Sequence, residues 1–315
     1  MRVFTFLIPF LAAVLSSLVV SAAPLRLALN WKPEPQFGGF YAAEPHFKAA
    51  KLNVEILPGG SGTPTAQMLP AGQADYAIVS ADELVLAWDR GSKEMIAVFA
   101  AFQTNPQGIM FRTNKNYDSI DALLKDKDST LLWQAGLPYA MYLQKKFGKP
   151  LAKTAPYPGG ITNFIGDPKI NQQCFVTSEP LTAKKSSLDV RTFLIADAGY
   201  NPYTTVLVTT KKRLQENPAE VRAVVAAVRQ GWADYVKDPA ATNARMTKLN
   251  PAMDLVTMND SAHAQLDLVQ TAETKTHGLG VMTESRWQTL ADQLFELKLV
   301  KTKVPAKDLF STLSK

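Results

Sequence analysis

Residues that form metal, disulfide or nucleophilic sites are scarce in this 315-residue sequence. It has one cysteine, Cys174, and three histidines that lie far apart, at positions 46, 263 and 277. A single cysteine excludes an intramolecular disulfide, and isolated histidines lack the spacing of a metal-binding pair. There is also no Gly-x-Ser-x-Gly turn of the kind that carries a catalytic serine. We therefore predict no metal and no cofactor, and we assign Cys174 to the apolar interior.

Charge of one sign is not concentrated anywhere along the chain. Lys and Arg number 34, and Asp and Glu number 28, for a net charge of +6. The longest basic run is a triple, Lys211-Lys212-Arg213. Dispersed basic residues are typical of a solvated surface, whereas nucleic-acid binding favours a continuous stripe. We therefore expect no nucleic-acid partner, while a small anionic ligand stays compatible with the charge.

Only the N-terminal apolar run approaches the length of a membrane span. After Arg2, residues 3–20 carry no charge, and the small residues Ser21, Ala22 and Ala23 follow. This arrangement predicts a cleavable secretory signal over residues 1–23. Because no second long apolar run is present, we expect no stable membrane insertion. With the signal, this predicts a periplasmic protein, which we expect to be a monomer. The remaining chain is long enough to divide its core between two lobes.

The mature sequence alternates short apolar runs with segments of helical period. This alternation predicts βαβ units around a largely parallel sheet. The polar stretch 103–108 interrupts the pattern, a second cycle of alternation follows it, and helix prevails from Pro218 to about Leu299. The strands predicted before the interruption span residues 25–29, 54–57, 75–79 and 95–102, with a helix over 39–48 after the first. In the second cycle, a helix is predicted from Pro138 to Phe147 with Gly148 as its stop, followed by a strand over 155–157.

These patterns predict an α/β protein with two lobes, each a mixed, mostly parallel sheet flanked by helices. The first lobe is expected to comprise residues 24–105 and 204–315, and the second residues 106–203. Two crossings between the lobes would leave a cleft that is faced by the C-terminal ends of strands from both sides. Clefts of this kind bind small ligands.

The segment 31–41 is the most distinctive, and it reads Trp-Lys-Pro-Glu-Pro-Gln-Phe-Gly-Gly-Phe-Tyr directly after the first predicted strand. Its prolines prevent a regular strand, and its glycines allow close backbone approach. Aromatic side chains near a strand end either pack in the core or offer flat faces to a ligand. The crowding of proline and glycine favours the second interpretation for Trp31, Phe37, Gly38 and Tyr41.

Other loops after predicted strands carry polar groups. The turn Gly59-Gly60-Ser61-Gly62 either binds an oxyanion through its N–H groups or is a plain turn capped by Thr63. Glu179 either begins a helix or accepts hydrogen bonds from an amino-substituted heterocycle, and Asp82 is expected to cap its helix. The predicted ligand-binding residues are Trp31, Phe37, Gly38, Tyr41, Gly60, Ser61, Gly62, Ser80, Asp82, Gln134, Phe175, Glu179 and Tyr203.

The Trp-x-Pro segment, the Gly-Gly-Ser-Gly turn and the run Phe-Val-Thr-Ser-Glu-Pro at 175–180 carry a family resemblance. With these motifs the mature chain resembles the thiamine-pyrimidine-synthase-like group of periplasmic substrate-binding proteins. The resemblance implies a type II periplasmic-binding-protein fold and delivery of a small heterocycle to the permease and ATPase of an ABC importer. It also implies that Trp31 and Tyr41 line the site, that the Gly60–Gly62 turn meets a polar ligand group, and that Glu179 contacts the ring.

Two positions differ from those family members that bind pyrimidine precursors. Glu34 stands where they tend to have Asn, and Phe37 stands where they tend to have His. Related eukaryotic synthases use a cysteine-rich motif and a histidine, where this sequence has only Cys174 and Phe37, so we predict that the protein is not an enzyme. The leading hypothesis is a receptor for a planar nitrogen heterocycle such as a thiamine pyrimidine precursor. The alternatives are a receptor for sulfonate, nitrate or another small anion, a pyrimidine-synthase-like enzyme, and a sensory protein.

Overall fold

The structure is a computed structural model, and it describes residues 23–60 and 62–313. Residues 1–22 of the predicted signal, and the predicted site residue Ser61, lie outside the described residues. Within the described part of the chain, no helix combines the length and the apolar character that a membrane span requires.

Ten strands form two five-stranded sheets in the described chain. The strands are β1 Leu25–Ala28, β2 Val54–Leu57, β3 Tyr76–Val79, β4 Met95–Phe102, β5 Gln107–Arg112, β6 Thr130–Trp133, β7 Lys153–Pro156, β8 Ile170–Phe175, β9 Val190–Leu194 and β10 Thr204–Thr210.

The α-helices lie between the strands and after the last strand. They are α1 Gly38–Ala42, α2 Glu44–Ala49, α3 Thr65–Met68, α4 Ala81–Asp89, α5 Ile120–Lys125, α6 Pro138–Phe147, α7 Thr162–Gly166, α8 Glu179–Lys185, α9 Lys211–Glu216, α10 Pro218–Lys237, α11 Ala240–Leu249, α12 Leu255–Ala264, α13 Leu266–Val269, α14 Ala272–His277 and α15 Glu284–Glu296. Short 3-10 turns occur at Pro35–Phe37, Thr113–Lys115, Ala196–Ala198 and Ala306–Asp308.

Each sheet contains one reversed strand. The first sheet has the order β2-β1-β3-β10-β4, in which only β10 runs against the others, and the second has the order β7-β6-β8-β5-β9, in which only β5 does so. Both reversed strands directly follow a crossing between the sheets. The C-terminal ends of the other strands therefore share one edge of each sheet with the beginning of the reversed strand. This confirms the predicted fold class, two mixed and mostly parallel sheets flanked by helices.

The two crossings are bonded to each other. The backbone N–H of Asn105 in the first crossing donates to the side-chain oxygen of Asn201 in the second, at 2.8 Å. The Asn105 amide donates to the carbonyl of Pro202 at 3.3 Å, and the guanidinium of Arg286 donates to the carbonyl of Asn201. The two segments that connect the sheets are thus hydrogen-bonded to each other and are not independent linkers.

The long helix α10 packs on the first sheet through helix α1. Trp232 of α10 is fully buried and meets Phe40 of α1 and Phe102 of β4 edge to face. A Cβ atom on Gly231 would lie 2.3 Å from the carbonyl oxygen of Gly39, and one on Gly39 would lie 2.2 Å from the Trp232 ring. Glycine at these two positions therefore allows the two helices to cross at close range.

Candidate functional site

A cavity of about 570 Å³, which we call the main cleft, lies where the strand ends of the two sheets face each other. Its walls come from both sides. The loop after β1 and the start of α4 contribute on the first-sheet side, and the loops after β6, β7 and β8 contribute on the second-sheet side. The first residues of the reversed strands, Gln107 and Thr204, also line it. This size is typical of a small-molecule site.

Two apolar side chains reach into the main cleft from opposite walls. Trp31 from the loop after β1 is 39% exposed, and Leu137 from the loop after β6 is 40% exposed. Large apolar side chains are mostly buried in this protein, so exposed ones inside a cleft offer contact area to a ligand. The indole N–H of Trp31 donates to Glu34 at 3.2 Å, which fixes the plane of the ring.

Glu34 lies in the same loop as Trp31 and lines the main cleft. Its second carboxylate oxygen accepts a hydrogen bond from the Gln36 amide at 3.2 Å. Burial raises the pKa of Glu34 above its usual value of 4.5, and the negative charge of Glu179 raises it further. The negative charges of Glu34 and Glu179 therefore repel each other across the cleft.

Glu179 begins helix α8, and its carboxylate is held on both oxygens. The hydroxyl of Tyr157 donates to one oxygen and the backbone N–H of Phe175 donates to the other, each at 2.8 Å. Burial raises the pKa of this carboxyl group, while both hydrogen bonds act to lower it. Because each carboxylate oxygen has further acceptor capacity, Glu179 can receive hydrogen bonds from a ligand in a fixed direction.

A third carboxylate, Glu83, belongs to a capping box at the start of α4. The backbone N–H of Ser80 donates to Glu83 at 2.9 Å, and the N–H of Glu83 donates back to the Ser80 hydroxyl at 3.4 Å. The Glu83 side chain is exposed to the main cleft. The surrounding protein raises the pKa of its carboxyl group. Asp82, beside it, accepts hydrogen bonds from Ser80 and from Tyr200.

The wall on the second-sheet side contains a fixed pair of amides. The side-chain amide of Gln173 donates to Gln134 at 2.8 Å, and its oxygen accepts from the backbone N–H of Gln134 at 2.6 Å. The same oxygen accepts from the Tyr139 hydroxyl at 2.6 Å. These bonds fix which way each amide points, so the polar pattern offered to a ligand is set before binding.

The charge of the main cleft has one sign. Three carboxylates line it, from Glu34, Glu83 and Glu179, and none of the described lining residues is a lysine, an arginine or a histidine. Among the described residues there is also no group of three metal-ligating side chains. Cys174 reaches the cleft wall but is only 2% exposed, and burial raises the pKa of its thiol well above the usual value.

Seven of the predicted site residues lie at the site. Trp31, Phe37, Ser80, Gln134, Phe175 and Glu179 line the main cleft, and Asp82 lies next to it on α4. The N-cap of α4 is Ser80, not Asp82 as predicted. Phe37 contributes little area, because it is 1% exposed and packs in the core with the helices.

The geometry assigns Gly38 and Tyr41 to helix packing rather than to the cleft wall. A Cβ atom on Gly38 would lie 2.0 Å from the Tyr235 ring, so this glycine makes room for helix α10. Tyr41 is 3% exposed, its ring lies below the guanidinium of Arg245, and burial raises its pKa to about 12. Of the two aromatic residues predicted to line the site, Trp31 lines the main cleft and Tyr41 does not.

The geometry also places Gly60, Gly62 and Tyr203 outside the cleft wall. The N–H of Gly60 donates to the Thr63 hydroxyl at 2.8 Å, and Gly62 is exposed with a φ of +80°. The plain-turn interpretation therefore fits better than oxyanion binding. Tyr203 is 1% exposed, its hydroxyl accepts from the N–H of Thr283 at 3.1 Å, and Arg286 covers its ring at 3.9 Å.

Sequence reasoning missed two of the three carboxylates and the contacts that orient the third. Glu83 stands three residues after Ser80, and this spacing is the signature of a capping box at a strand end that was predicted to face the cleft. Glu34 lies inside the distinctive segment itself. Tyr157, which orients Glu179, falls at the end of a predicted strand. No local pattern marks Leu137, because its exposure depends on the opposite wall.

Comparison with solved structures shows the same fold at low sequence identity. The periplasmic aliphatic sulphonate binding protein SsuA from Escherichia coli is 15% identical, with a TM-score of 0.67 over 91% of this chain and 92% of that one. The alkanesulfonate-binding protein SsuA from Xanthomonas axonopodis pv. citri is 12% identical, with a TM-score of 0.63 over 92% and 99%. The Candida albicans CA3427 gene product is 13% identical, with a TM-score of 0.62 over 92% and 96%.

The family assignment comes from the sequence. A search among curated proteins finds no match. The profile of the family described as "NMT1/THI5 like" matches residues 34–242, a range that includes most of the main cleft. The resemblance identified from the motifs is thereby confirmed. Since the match covers well over half of the chain, the protein belongs to the NMT1/THI5-like family and has the two-lobe periplasmic-binding-protein fold.

Proposed function

We propose that the protein is a periplasmic solute-binding protein that captures a planar heterocycle bearing an amino or cationic group and delivers it to an ABC importer. Its lobes would be residues 24–105 with 204–315, and residues 106–203. The observation that carries the proposal is the set of three carboxylates in a cleft whose described lining has no basic side chain. Thiamine pyrimidine precursors, which carry an amino group on a flat ring, belong to this ligand class.

The energetics of the carboxylates support a donor or cation as their partner. The surrounding protein raises the pKa of Glu34, Glu83 and Glu179, so their charged forms are disfavoured in the cleft. Glu34 and Glu179 are half-buried and Glu83 is exposed to the cleft, so each penalty is partial, and a ligand amino group or cation would offset it. Trp31 and Leu137 would then hold the flat faces of the ring.

An anionic ligand is less compatible with this site. Sulfonates and nitrate bind best beside positive charge, and the charged side chains in the described lining of the main cleft are three carboxylates. The described glycines of the turn that could have supplied N–H donors, Gly60 and Gly62, do not line the cleft. Sulfonate binding by the two SsuA proteins therefore does not transfer with the fold, since they are only 15% and 12% identical to this chain.

The proposed ligand would also bring the two lobes together. Glu34 and Glu83 belong to the first-sheet side and Glu179 to the second, and the charges of Glu34 and Glu179 oppose each other. A ligand that donates to carboxylates on both sides would favour the closed arrangement by its differential affinity. Closure of this kind is what would present the loaded protein to a permease.

The test is a titration of the purified protein with an aminopyrimidine precursor of thiamine and, separately, with an alkanesulfonate. Thermal stability and tryptophan fluorescence are measured in each case. We expect the aminopyrimidine to stabilise the protein, and we expect Glu179→Gln to weaken its binding by about tenfold or more, because a hydrogen bond to a charged group is lost.

Glu55→Gln is the matched control, because Glu55 is exposed on the edge strand β2 and lies outside the main cleft. It should bind as the unmodified protein does. Stabilisation by the alkanesulfonate and not by the aminopyrimidine would overturn the proposal. So would equal aminopyrimidine affinity in the Glu179→Gln variant and in its control.

A further inference from the structure

A second cavity, of about 270 Å³, opens from the main cleft toward the crossings between the sheets, and we call it the side cavity. The two cavities are continuous because they share wall residues. The shared residues are Ser80, Glu83, Gln107, Leu137, Phe175 and Thr204. A ligand seated beside Glu83 in the main cleft can therefore extend into the side cavity without leaving the protein.

The wall of the side cavity is largely apolar. Leu86 of α4 lies on one side, Pro138 of α6 on another, and Ile195 at the end of β9 closes it. The rings of Tyr139 and Tyr200 complete the wall, and both are buried. The polar lining includes Asp82 and Glu83, and both carboxylates accept hydrogen bonds from Ser80.

The polar groups of the side cavity are already bonded to protein partners. The Tyr200 hydroxyl donates to Asp82 at 3.0 Å, and the Tyr139 hydroxyl donates to Gln173 at 2.6 Å. Asn105 accepts from the backbone N–H of Gln107 at 2.8 Å and donates to the carbonyl of Pro202 at 3.3 Å. A polar ligand group would have to compete with these bonds, whereas an apolar group would only displace water.

The size of the side cavity also fits a ring. An apolar cavity of about 150 Å³ is enough to bind benzene, and the side cavity measures about 270 Å³. From its continuity, its apolar wall and its volume, we propose that the ligand has two parts, an amino-bearing heterocycle in the main cleft and an apolar, ring-sized substituent in the side cavity.

This inference rests on the proposed function and narrows its substrate class. A bare pyrimidine precursor would leave the side cavity filled with water, whereas a heterocycle with an aryl or branched alkyl substituent would fill it. Since burial of apolar surface is favourable, the substituted ligand should bind more tightly by about tenfold.

The test compares two probes by calorimetry, an aminopyrimidine with a hydroxymethyl substituent and the same ring with a benzyl group in that place. The unmodified protein should prefer the benzyl probe by about tenfold. Leu86→Trp places a large side chain in the side cavity, and the preference should fall to about one. Leu151→Trp is the control, because Leu151 is 53% exposed and lies outside both cavities. It should keep the tenfold preference.

The measured quantity is a ratio of two affinities in one protein, so it is insensitive to a partial loss of folded protein. If Leu86→Trp does not fold, Leu86→Phe gives the same comparison with a smaller side chain. Binding of the hydroxymethyl probe with no preference for benzyl would overturn the two-part ligand and leave the proposed function standing. A preference that persists in the filled variant would also overturn it. Failure of both probes to bind would overturn the proposed function itself.

Discussion

Trp31 and Tyr41 come from one short segment, yet their side chains lie in opposite environments. Trp31 is 39% exposed in the main cleft, and Tyr41 is 3% exposed in the core against the C-terminal helices. Tyr41 belongs to α1 and is covered by Arg245 of α11, whereas Trp31 precedes the helix and faces the cleft. A single aromatic side chain is thus placed by contacts that its own segment does not encode.

Replacement of Trp31 by Ala should abolish ligand-induced stabilisation with little effect on the empty protein. The free energy of unfolding without ligand should fall by about 1 kcal/mol or less, since the side chain is largely solvated and outside the core. Thermal melts with and without an aminopyrimidine measure both quantities. Tyr41→Ala is the contrasting variant, for which we expect a loss of about 3–5 kcal/mol in the empty protein. A comparable loss for Trp31→Ala would instead assign Trp31 to the core.

The three cleft carboxylates should make the stability of the empty protein depend on pH. Their pKa values are raised by burial above the ordinary value of 4.5. A carboxyl group with a raised pKa binds more protons in the folded state, so its stabilising effect is complete below pH 4.5 and is lost as the pH rises through the raised pKa. Replacing Glu34, Glu83 and Glu179 together by Gln should therefore increase the free energy of unfolding at pH 7 relative to pH 4.

Denaturant unfolding of the unmodified and triple-Gln proteins at both pH values checks this. The comparison cancels carboxylates elsewhere, such as Asp254, whose pKa is lowered to about 2 chiefly by a hydrogen bond from the backbone N–H of Thr257. If the two proteins differed in free energy of unfolding by the same amount at pH 4 and at pH 7, the expectation would be contradicted. The same reasoning predicts that a cationic ligand binds more weakly as the pH falls and the carboxylates gain protons.

The lining of the main cleft could be predicted from sequence where a residue lies close behind a strand end. Ser80 and Gln134 directly follow their strands, Trp31 and Glu179 follow theirs within one helical turn's length of chain, and each lines the main cleft. The environment of Tyr203 could not be predicted in this way, because Thr283 and Arg286 bond to it from a distant part of the chain. Strand ends are local features, whereas burial is decided by partners far away in sequence.

At the scale of elements, predictions were best where the sequence contains its own stop signal. Helix α6 begins at Pro138 and ends before Gly148, and both limits were predicted. The helix predicted over 39–48 is instead two helices, α1 and α2, joined at Ala43. Pro45 explains the break, because it has no N–H to donate to the carbonyl one turn earlier.

The crossing of α1 and α10 should be sensitive to a single methyl group. Gly231→Ala places its Cβ atom within 2.3–2.6 Å of backbone atoms of Gly39 and Ala43, which cannot move independently of their helix. We expect a loss of about 1–3 kcal/mol in the free energy of unfolding from overpacking, greater than the gain of about 1 kcal/mol that Ala brings in helix propensity. Chemical denaturation measures the net change.

Gly166→Ala is the control for this substitution. Gly166 ends helix α7, and a Cβ atom there would meet nothing within 4 Å. This variant should be as stable as the unmodified protein or slightly more stable. If Gly231→Ala proved equally harmless, the two helices would have to be less closely packed than the geometry indicates.

At the scale of the whole molecule, the two-lobe fold was predictable because strand and helix alternate twice around a polar interruption. The order of strands within each sheet was not predictable in the same way. The reversal of β5 and β10 results from the direction in which the chain enters each sheet after a crossing. That direction is a property of the complete fold, and no local pattern reports it.

Helices α8 and α12 each contribute to the lining of the main cleft, and Lys185 joins the two helices. Its ammonium group lies 3.1 Å from Asp254, the N-cap of α12, and it also contacts the Thr257 hydroxyl. Lys185→Met should weaken ligand binding by up to about fivefold, the effect expected of one exposed ion pair. It should also reduce the dependence of affinity on salt. Calorimetry at low and high ionic strength measures both effects.

Lys184→Met provides the control. Lys184 is the exposed neighbour of Lys185, and its replacement removes the same charge. If both variants lost affinity equally, the effect would come from net charge and not from the contact between α8 and α12.

The position of β10 between β3 and β4 has a consequence for the order in which the chain can fold. All strands of the second sheet are present once Leu194 has been synthesised or exported, so that sheet can form early. The first sheet cannot, because β4 has no neighbour until residues 204–210 arrive between it and β3. Until β10 is made, the first third of the chain can form only the three-stranded piece β2-β1-β3, and β4 stays without a paired strand. During that interval the unpaired edges of β3 and β4 are exposed, and a chaperone would have to cover them.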